Sequence, residues 1–124
     1  MSKKYTIGLD YGTESGRAVL VDVSNGEVVA QCTKMYTHGV MDEYLSDGST
    51  KLPMDFALQH PMDYLEVAEL TVPAVLKEAG VPAEAVVGLS TDFTSCTILP
   101  IDAEGTPTGT ATGQRAVPSI FCIM

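Results

Sequence analysis

The sequence predicts an α/β fold in which a mixed β-sheet opens with a β-meander and carries a packed helix. Three observations predict it. Two apolar runs, Lys4 to Leu9 and Ala18 to Val23, flank a polar turn punctuated by Gly12 and Gly16. A later segment, Pro61 to Ala79, has the start and stop signals of a helix, and a continuous apolar run from Ala85 to Thr91 follows it.

The meander has three strands, about Lys4 to Tyr11, Arg17 to Val23 and Glu27 to Tyr36. Asn25-Gly26 joins the second to the third, since this dipeptide between apolar runs is the strongest short-range hairpin signal. Glu27 to Lys34 alternates only in part, which suits a strand near the sheet edge with one wet face. From Thr37 to Leu58 the chain turns to Gly, Asp, Ser and Met with no sustained period, so it reads as a long loop. His38, Asp42, Glu43 and Tyr44 in it are metal or sugar ligands or simply a solvated surface, and none is assigned.

The helix begins at Pro61, whose fixed φ and missing N–H suit the first helical position. Asp63 and Glu66 lie near the positive end of the helix, Lys77 near the negative end, and Gly80 supplies the stop. Leu65, Ala68, Leu70, Val72, Val75, Leu76 and Ala79 form the apolar face. Pro73 removes one backbone hydrogen bond from the interior, which predicts a kink or a split. His60, at the helix entry, reads as structural, because no second His or Cys stands near it in sequence.

The Val-Val-Gly-Leu centre of the run from Ala85 to Thr91 suits the middle of a sheet covered on both sides. Cys96 to Ile101 predicts a further strand, and Asp102-Ala-Glu-Gly105 a turn out of it. Thr106 to Met124 has no period and ends in an apolar stretch with no evident partner, which predicts an irregular tail. The order of meander, helix and buried strand is that of the ribonuclease-H-like fold shared by actin-like ATPases.

Two places carry chemistry. In Asp10-Tyr-Gly-Thr-Glu-Ser-Gly-Arg17 the turn between two buried strands combines Gly12 and Gly16, which admit positive φ and close approach of a ligand, with the hydroxyls of Thr13 and Ser15. Such a concavity suits phosphate oxygens. Asp10, ending the first strand, then suits a hydrated Mg²⁺ bridging them, since Mg²⁺ favours one or two carboxylates with phosphate and water. The alternative is an ordinary hairpin with an exposed Asp. The second place is Ser90 to Cys96, beyond the carboxyl end of a strand, where α/β sheets bind ligands. Its alternative is a turn capped by Asp and Thr.

Three stretches, Ile7 to Leu20, Ala57-Leu-Gln-His-Pro-Met-Asp-Tyr64 and Asp92-Phe-Thr-Ser-Cys-Thr-Ile-Leu-Pro100, together resemble the FGGY carbohydrate kinases, and within them the ribulokinases. No G-K-[ST] follows the turn and no helix opens from it, so neither a Walker loop nor a dinucleotide fingerprint fits. The resemblance implies the start of an actin-like first domain over residues 1–105, with residues 106–124 as an aberrant tail. It implies phosphoryl transfer from ATP, with Mg²⁺, to a ketopentose, L-ribulose becoming its 5-phosphate. Asp10 would hold metal and phosphate, Gly12, Thr13 and Ser15 the phosphoryl group, and Arg17 either a phosphate or a neighbouring carboxylate. Asp92, Thr94, Ser95 and Cys96 would form one wall of the sugar site. In the family the catalytic base and the adenine site come later in the sequence, so no catalytic residue is assigned and the chain alone is expected to be inactive. A noncatalytic nucleotide-binding domain and a small interaction protein are the alternatives.

The chain has 124 residues, 45% of them hydrophobic, with net charge −9. This length predicts one domain that buries roughly two-thirds of its unfolded surface. The acidity excludes nucleic acid as a partner, since its recognition needs a basic face. No stretch suits a bilayer or a signal peptide, which predicts a cytoplasmic protein. Cys32, Cys96 and Cys122 are an odd number with no C-x-x-C pair, so neither a disulfide framework nor a zinc site is implied. Apolar faces left uncovered would favour homo-oligomers or aggregation. Ser119 to Met124 can be encoded as AGC ATA TTT TGT ATT ATG. Read one nucleotide later, with a G following, this gives Ala-Tyr-Phe-Val-Leu-Trp, a phrase resembling one in ribulokinases. A frameshift in the gene is one expectation, and a genuine short protein with a disordered tail is the alternative.

Overall fold

The computed structural model describes residues 2–95, 97–107 and the backbone of 120–122. They divide into two compact units, one made of residues 2–36 and 64–93 and the other of residues 37–63 with the described residues from 94 onward. This division interleaves along the chain.

The first unit contains strands β1 (Tyr5–Tyr11), β2 (Ser15–Asp22), β3 (Val28–Met35) and β6 (Val86–Phe93), in the sheet order β3-β2-β1-β6. The first three are the antiparallel meander, and β6 lies parallel to β1. At the β2–β3 turn Gly26 has φ +75° and its N–H donates to the Asp22 carbonyl at 2.8 Å. Ser24 N–H and Oγ–H both donate to Asp22 Oδ1, at 2.9 and 2.6 Å, and Lys3 Nζ stands 3.1 Å from Oδ2.

Helix α1 (Pro61–Ala79) is continuous through Pro73, so the split expected there does not occur. Most of it belongs to the first unit. Gly80, at φ +65°, donates to the Lys77 carbonyl, and Val81 N–H to that of Leu76, the paired bonds that close a helix on a left-handed residue. The buried stripe differs from the one read in the sequence. Val67, Thr71 and Val75 are fully buried at four-residue spacing, whereas Leu65 and Leu70 are half exposed. Thr71 is accommodated because its hydroxyl donates to the Val67 carbonyl at 2.7 Å. The core joins Ile7, Leu9, Ala18, Leu20, Ala30 and Val75, with Ala68, Val72, Leu76 and Ala79 packed against it.

β6 also departs from expectation. Among the described residues it is an edge strand, and from Val87 to Phe93 every residue is exposed. Its apolar run is paired only with β1, so its composition records a demand for cover that the described residues do not supply.

In the second unit the region read as loop contains β4 (Val40–Met41) and β5 (Ala57–Gln59). With β7 (Thr97–Ile98) and β8 (Ile120–Cys122) they form an antiparallel sheet of order β4-β5-β8-β7. Thus residues 120–122 do have strand partners, contrary to the irregular tail expected, and the strand expected over residues 96–101 shortens to two residues. The turn at Asp102 is present: its Oδ1 accepts the N–H groups of Glu104 and Thr106, and Gly105 takes φ +81°. Among the described residues no helix is long and apolar enough to cross a membrane.

Candidate phosphate and metal site

The β1–β2 turn is closed by the Gly12 N–H, which donates to the Ser15 carbonyl at 2.9 Å, with Thr13 and Glu14 between them. Neither Gly12 nor Gly16 takes positive φ, so the conformational reason given for them is wrong. Space is the reason instead. A Cβ on Gly16 would lie 2.5 Å from Val67 Cγ1, and one on Gly12 would lie 3.2 Å from the Ser15 carbonyl oxygen. Gly12 therefore shapes the turn, while its amide hydrogen is already used within it.

The turn is braced from behind by three tyrosines that sequence reasoning missed. Tyr36 donates its phenolic hydrogen to the Gly12 carbonyl at 2.7 Å, and its N–H to the Glu14 carbonyl at 3.0 Å. Tyr11 donates to the Tyr64 carbonyl at 3.1 Å. The Tyr64 ring stands 5.1 Å from that of Tyr11 and 5.3 Å from that of Tyr36. Burial pushes the Tyr11 phenol up, which keeps it a donor. Their separation in sequence, at residues 11, 36 and 64, left no local pattern to detect.

Alternation along β1 sends Ile7 and Leu9 into the core, so Asp10 faces the opposite side of the sheet. There it is the register partner of Arg17 on β2 and of Asp92 on β6. Arg17 Nη2 pairs with Asp10 Oδ2 at 3.2 Å, and both side chains are about half exposed, so this pair exchanges easily with a ligand. Asp92 Oδ1 accepts the Phe93 N–H at 2.9 Å. Asp92, read as part of the sugar wall, thus stands beside Asp10 at the carboxyl ends of two parallel strands. Thr94 and Ser95 belong to the second unit, and Cys96 lies outside the described residues. The oxygen donors at Asp10 and Asp92, with the Thr13 and Ser15 hydroxyls in the adjoining turn, fit the hard-ligand preference of Mg²⁺.

The second unit holds a cluster that the sequence did not indicate. Asp63, 2% exposed, accepts the His38 N–H at Oδ2 (3.0 Å), and its Oδ1 is 2.6 Å from His38 Nδ1. The His60 ring stacks on His38 with centroids 4.1 Å apart. His60 Nδ1 accepts the Met62 N–H at 3.2 Å, and burial, reinforced by His38, holds its pKa below the usual value. His60 is therefore not isolated: its partner comes from 22 positions earlier, beyond the reach of any spacing rule.

Comparison with known proteins places this arrangement. No family model matches the chain. A ribulokinase of Halalkalibacterium halodurans is 58% identical over 107 residues, which is 86% of this chain and 19% of that protein. The ribulokinase of Mycolicibacterium smegmatis is 44% identical over 105 residues, again 19% of its length. The chain is homologous to the N-terminal part of ribulokinases. It spans about a fifth of these relatives. Among solved structures, gluconate kinase from Lactobacillus acidophilus superposes with TM-score 0.69 at 18% identity, covering 87% of this chain and 19% of that one. Xylulose kinase from Rhodospirillum rubrum gives 0.67 at 22% identity, over 95% and 20%. The fold is that of the sugar kinases, actin-like and ribonuclease-H-like, as the element order implied.

Proposed function

We propose that the hairpin from Asp10 to Arg17 is the phosphate-binding element of an ATP-dependent sugar kinase whose acceptor is a ketopentose, L-ribulose foremost. One juxtaposition carries this reading: Asp10, Arg17 and Asp92 share one sheet face at the carboxyl ends of β1 and β6, beside the braced turn. The choice of acceptor rests on the similarity to ribulokinases. When bound, Mg²⁺ and ATP supply the phosphoryl group and offset its charge. The chain's part is to bind and orient. The Asp10 carboxylate would hold the ion, the Thr13 and Ser15 hydroxyls would donate to phosphate oxygens, and Arg17 would exchange Asp10 for a phosphate. Asp92, Thr94, Ser95 and Cys96 are the residues proposed to contact the sugar. No residue of this chain is assigned as the base that takes the sugar proton, so the 124-residue chain does not turn over by itself. The setting is cytoplasmic.

Calorimetry of the full chain with a nonhydrolysable ATP analogue tests the reading. Binding that requires Mg²⁺ and falls at least about tenfold in Asp10→Asn is expected, an interval of roughly 1.4 kcal/mol. Binding that ignores both Mg²⁺ and Asp10 overturns the assignment of the hairpin. Ribulose-dependent ATP turnover by the purified chain overturns its inactivity, and L-ribulose, D-xylulose and glycerol titrated in parallel rank the acceptors.

A further inference from the structure

The cluster at His38, His60 and Asp63 lies outside the phosphate site and has its own chemistry. Each residue offers one ligand atom, and the three atoms lie within 4.8 Å of one another. Two imidazoles and one carboxylate are the ligand set of divalent first-row ions, and three protein ligands leave a fourth position open. We propose that His38, His60 and Asp63 bind a divalent transition-metal ion, with Zn²⁺ the best match.

Four features support it. The Asp63 side chain is 3% exposed, and among the described residues no Lys or Arg pairs with it, so its buried charge has only the helix start and His38 to answer it. Supporting bonds already orient the ligands: the His38 N–H holds Asp63 Oδ2, and His60 is tethered through Met62 N–H. The His38 side chain is about one-third exposed (34%), which leaves the ion a way in. That way opens on a cavity of about 270 Å³, lined by His38, Asp42, Glu43 and Tyr44 among others, whose carboxylates concentrate cations.

Geometry says what loading requires. Zinc bonds of about 2.0–2.1 Å put tetrahedral ligands roughly 3.3 Å apart. The ion therefore comes between His38 and Asp63, widening their 2.6 Å contact and drawing in the widest gap by about 1.5 Å. Stacked rings 15° from parallel cannot aim their in-plane lone pairs at one point, so one ring must turn. His38 is the ring free to do so, being the more exposed and next to Gly39 at φ +64°. Loading thus exchanges the His38–His60 stack for coordination.

The test is a Zn²⁺ titration of the full chain against a chromophoric chelator, with Co²⁺ as a visible probe. One ion per chain and a tetrahedral Co²⁺ band are expected. His38→Ala and His60→Ala should each weaken binding at least about 100-fold, beyond the loss typical of an outer-shell change. The Asp10→Asn variant should bind Zn²⁺ as the unaltered chain does, which separates this site from the hairpin. Replacing Cys32, Cys96 and Cys122 by Ser should leave the affinity unchanged. Retention in the histidine variants, or loss in the cysteine-free chain, overturns the proposal. NMR of the unaltered chain does not depend on any variant folding: Zn²⁺ must shift the ring signals of both histidines, and shifts confined to surface carboxylates overturn it equally.

Discussion

The two compact units are held together by different means. In the first, strands of seven and eight residues run in long antiparallel ladders and bury Ile7, Leu9, Ala18 and Leu20 with Val75 of α1. In the second the strands are two or three residues long, and polar anchors hold the connections. Asp47 Oδ1 accepts the Ser49 and Thr50 N–H groups, Asp102 those of Glu104 and Thr106, and Asp63 clasps His38. A packed sheet with its turn braced by tyrosines fixes backbone atoms, which is what recognition of phosphate demands. A polar clasp on a loop leaves side chains able to change partners, which suits an ion. The construction of each unit suits the kind of site proposed for it.

The largest expected effect tests the apolar half of that contrast. Leu20 is fully buried, and Leu20→Ala should cost about 3–4 kcal/mol in urea unfolding, since deleting a packed side chain removes transfer energy and leaves a cavity. Amide exchange then locates the loss. It should fall on β1 and β2, and equal loss at Val40 and Leu58 breaks the comparison by showing that the units open together.

A smaller effect concerns the turn. Gly16→Ala places a methyl against Val67 and should cost roughly 2 kcal/mol through overpacking. Val67→Ala in the same chain should restore much of that stability. If it does not, crowding is not what requires glycine there, and the account of the hairpin must change.

How much of this was legible depended on the range of the signal. Strands, the Asn25-Gly26 turn and both helix ends depend on neighbours a few residues apart, and the structure reproduces the helix from Pro61 to Ala79. The β1–β2 hairpin was legible for the same reason. What failed depended on distant partners. The buried stripe of α1 runs through Val67 and Thr71 because of what the sheet presents, and Thr71 was concealed by its polarity, which a bond to its own helix neutralises. The Tyr11, Tyr36 and Tyr64 brace and the pairing of His38 with Asp63 join residues 25 or more positions apart. Asp92 was singled out, but its register beside Asp10 was not legible, because parallel pairing is a property of the sheet and not of either strand.

The finest test uses acid, since each unit contains one carboxyl held at about 2. For Asp22 the causes are the Ser24 hydroxyl, the Ser24 N–H and Lys3, and for Asp47 the Thr50 hydroxyl and the Thr50 and Ser49 N–H groups. The sign is the same for both. An unfolded Asp titrates near 3.9, so a folded value near 2 gives stability that is present in full above about pH 4 and is lost as pH falls toward 2. Asp22→Asn and Asp47→Asn should each flatten the acid limb of a plot of stability against pH. The two differ in exposure. Asp22 is 1% exposed, at the end of a ladder, so ordering of the β2–β3 turn depends on it, while Asp47 sits on an exposed loop where water and salt take over its role. Asp22→Asn should therefore flatten the limb more, and 1 M salt should erase the effect of Asp47→Asn first. If Asp47→Asn has the larger effect, the polar turns of the second unit hold the fold as firmly as the ladders of the first.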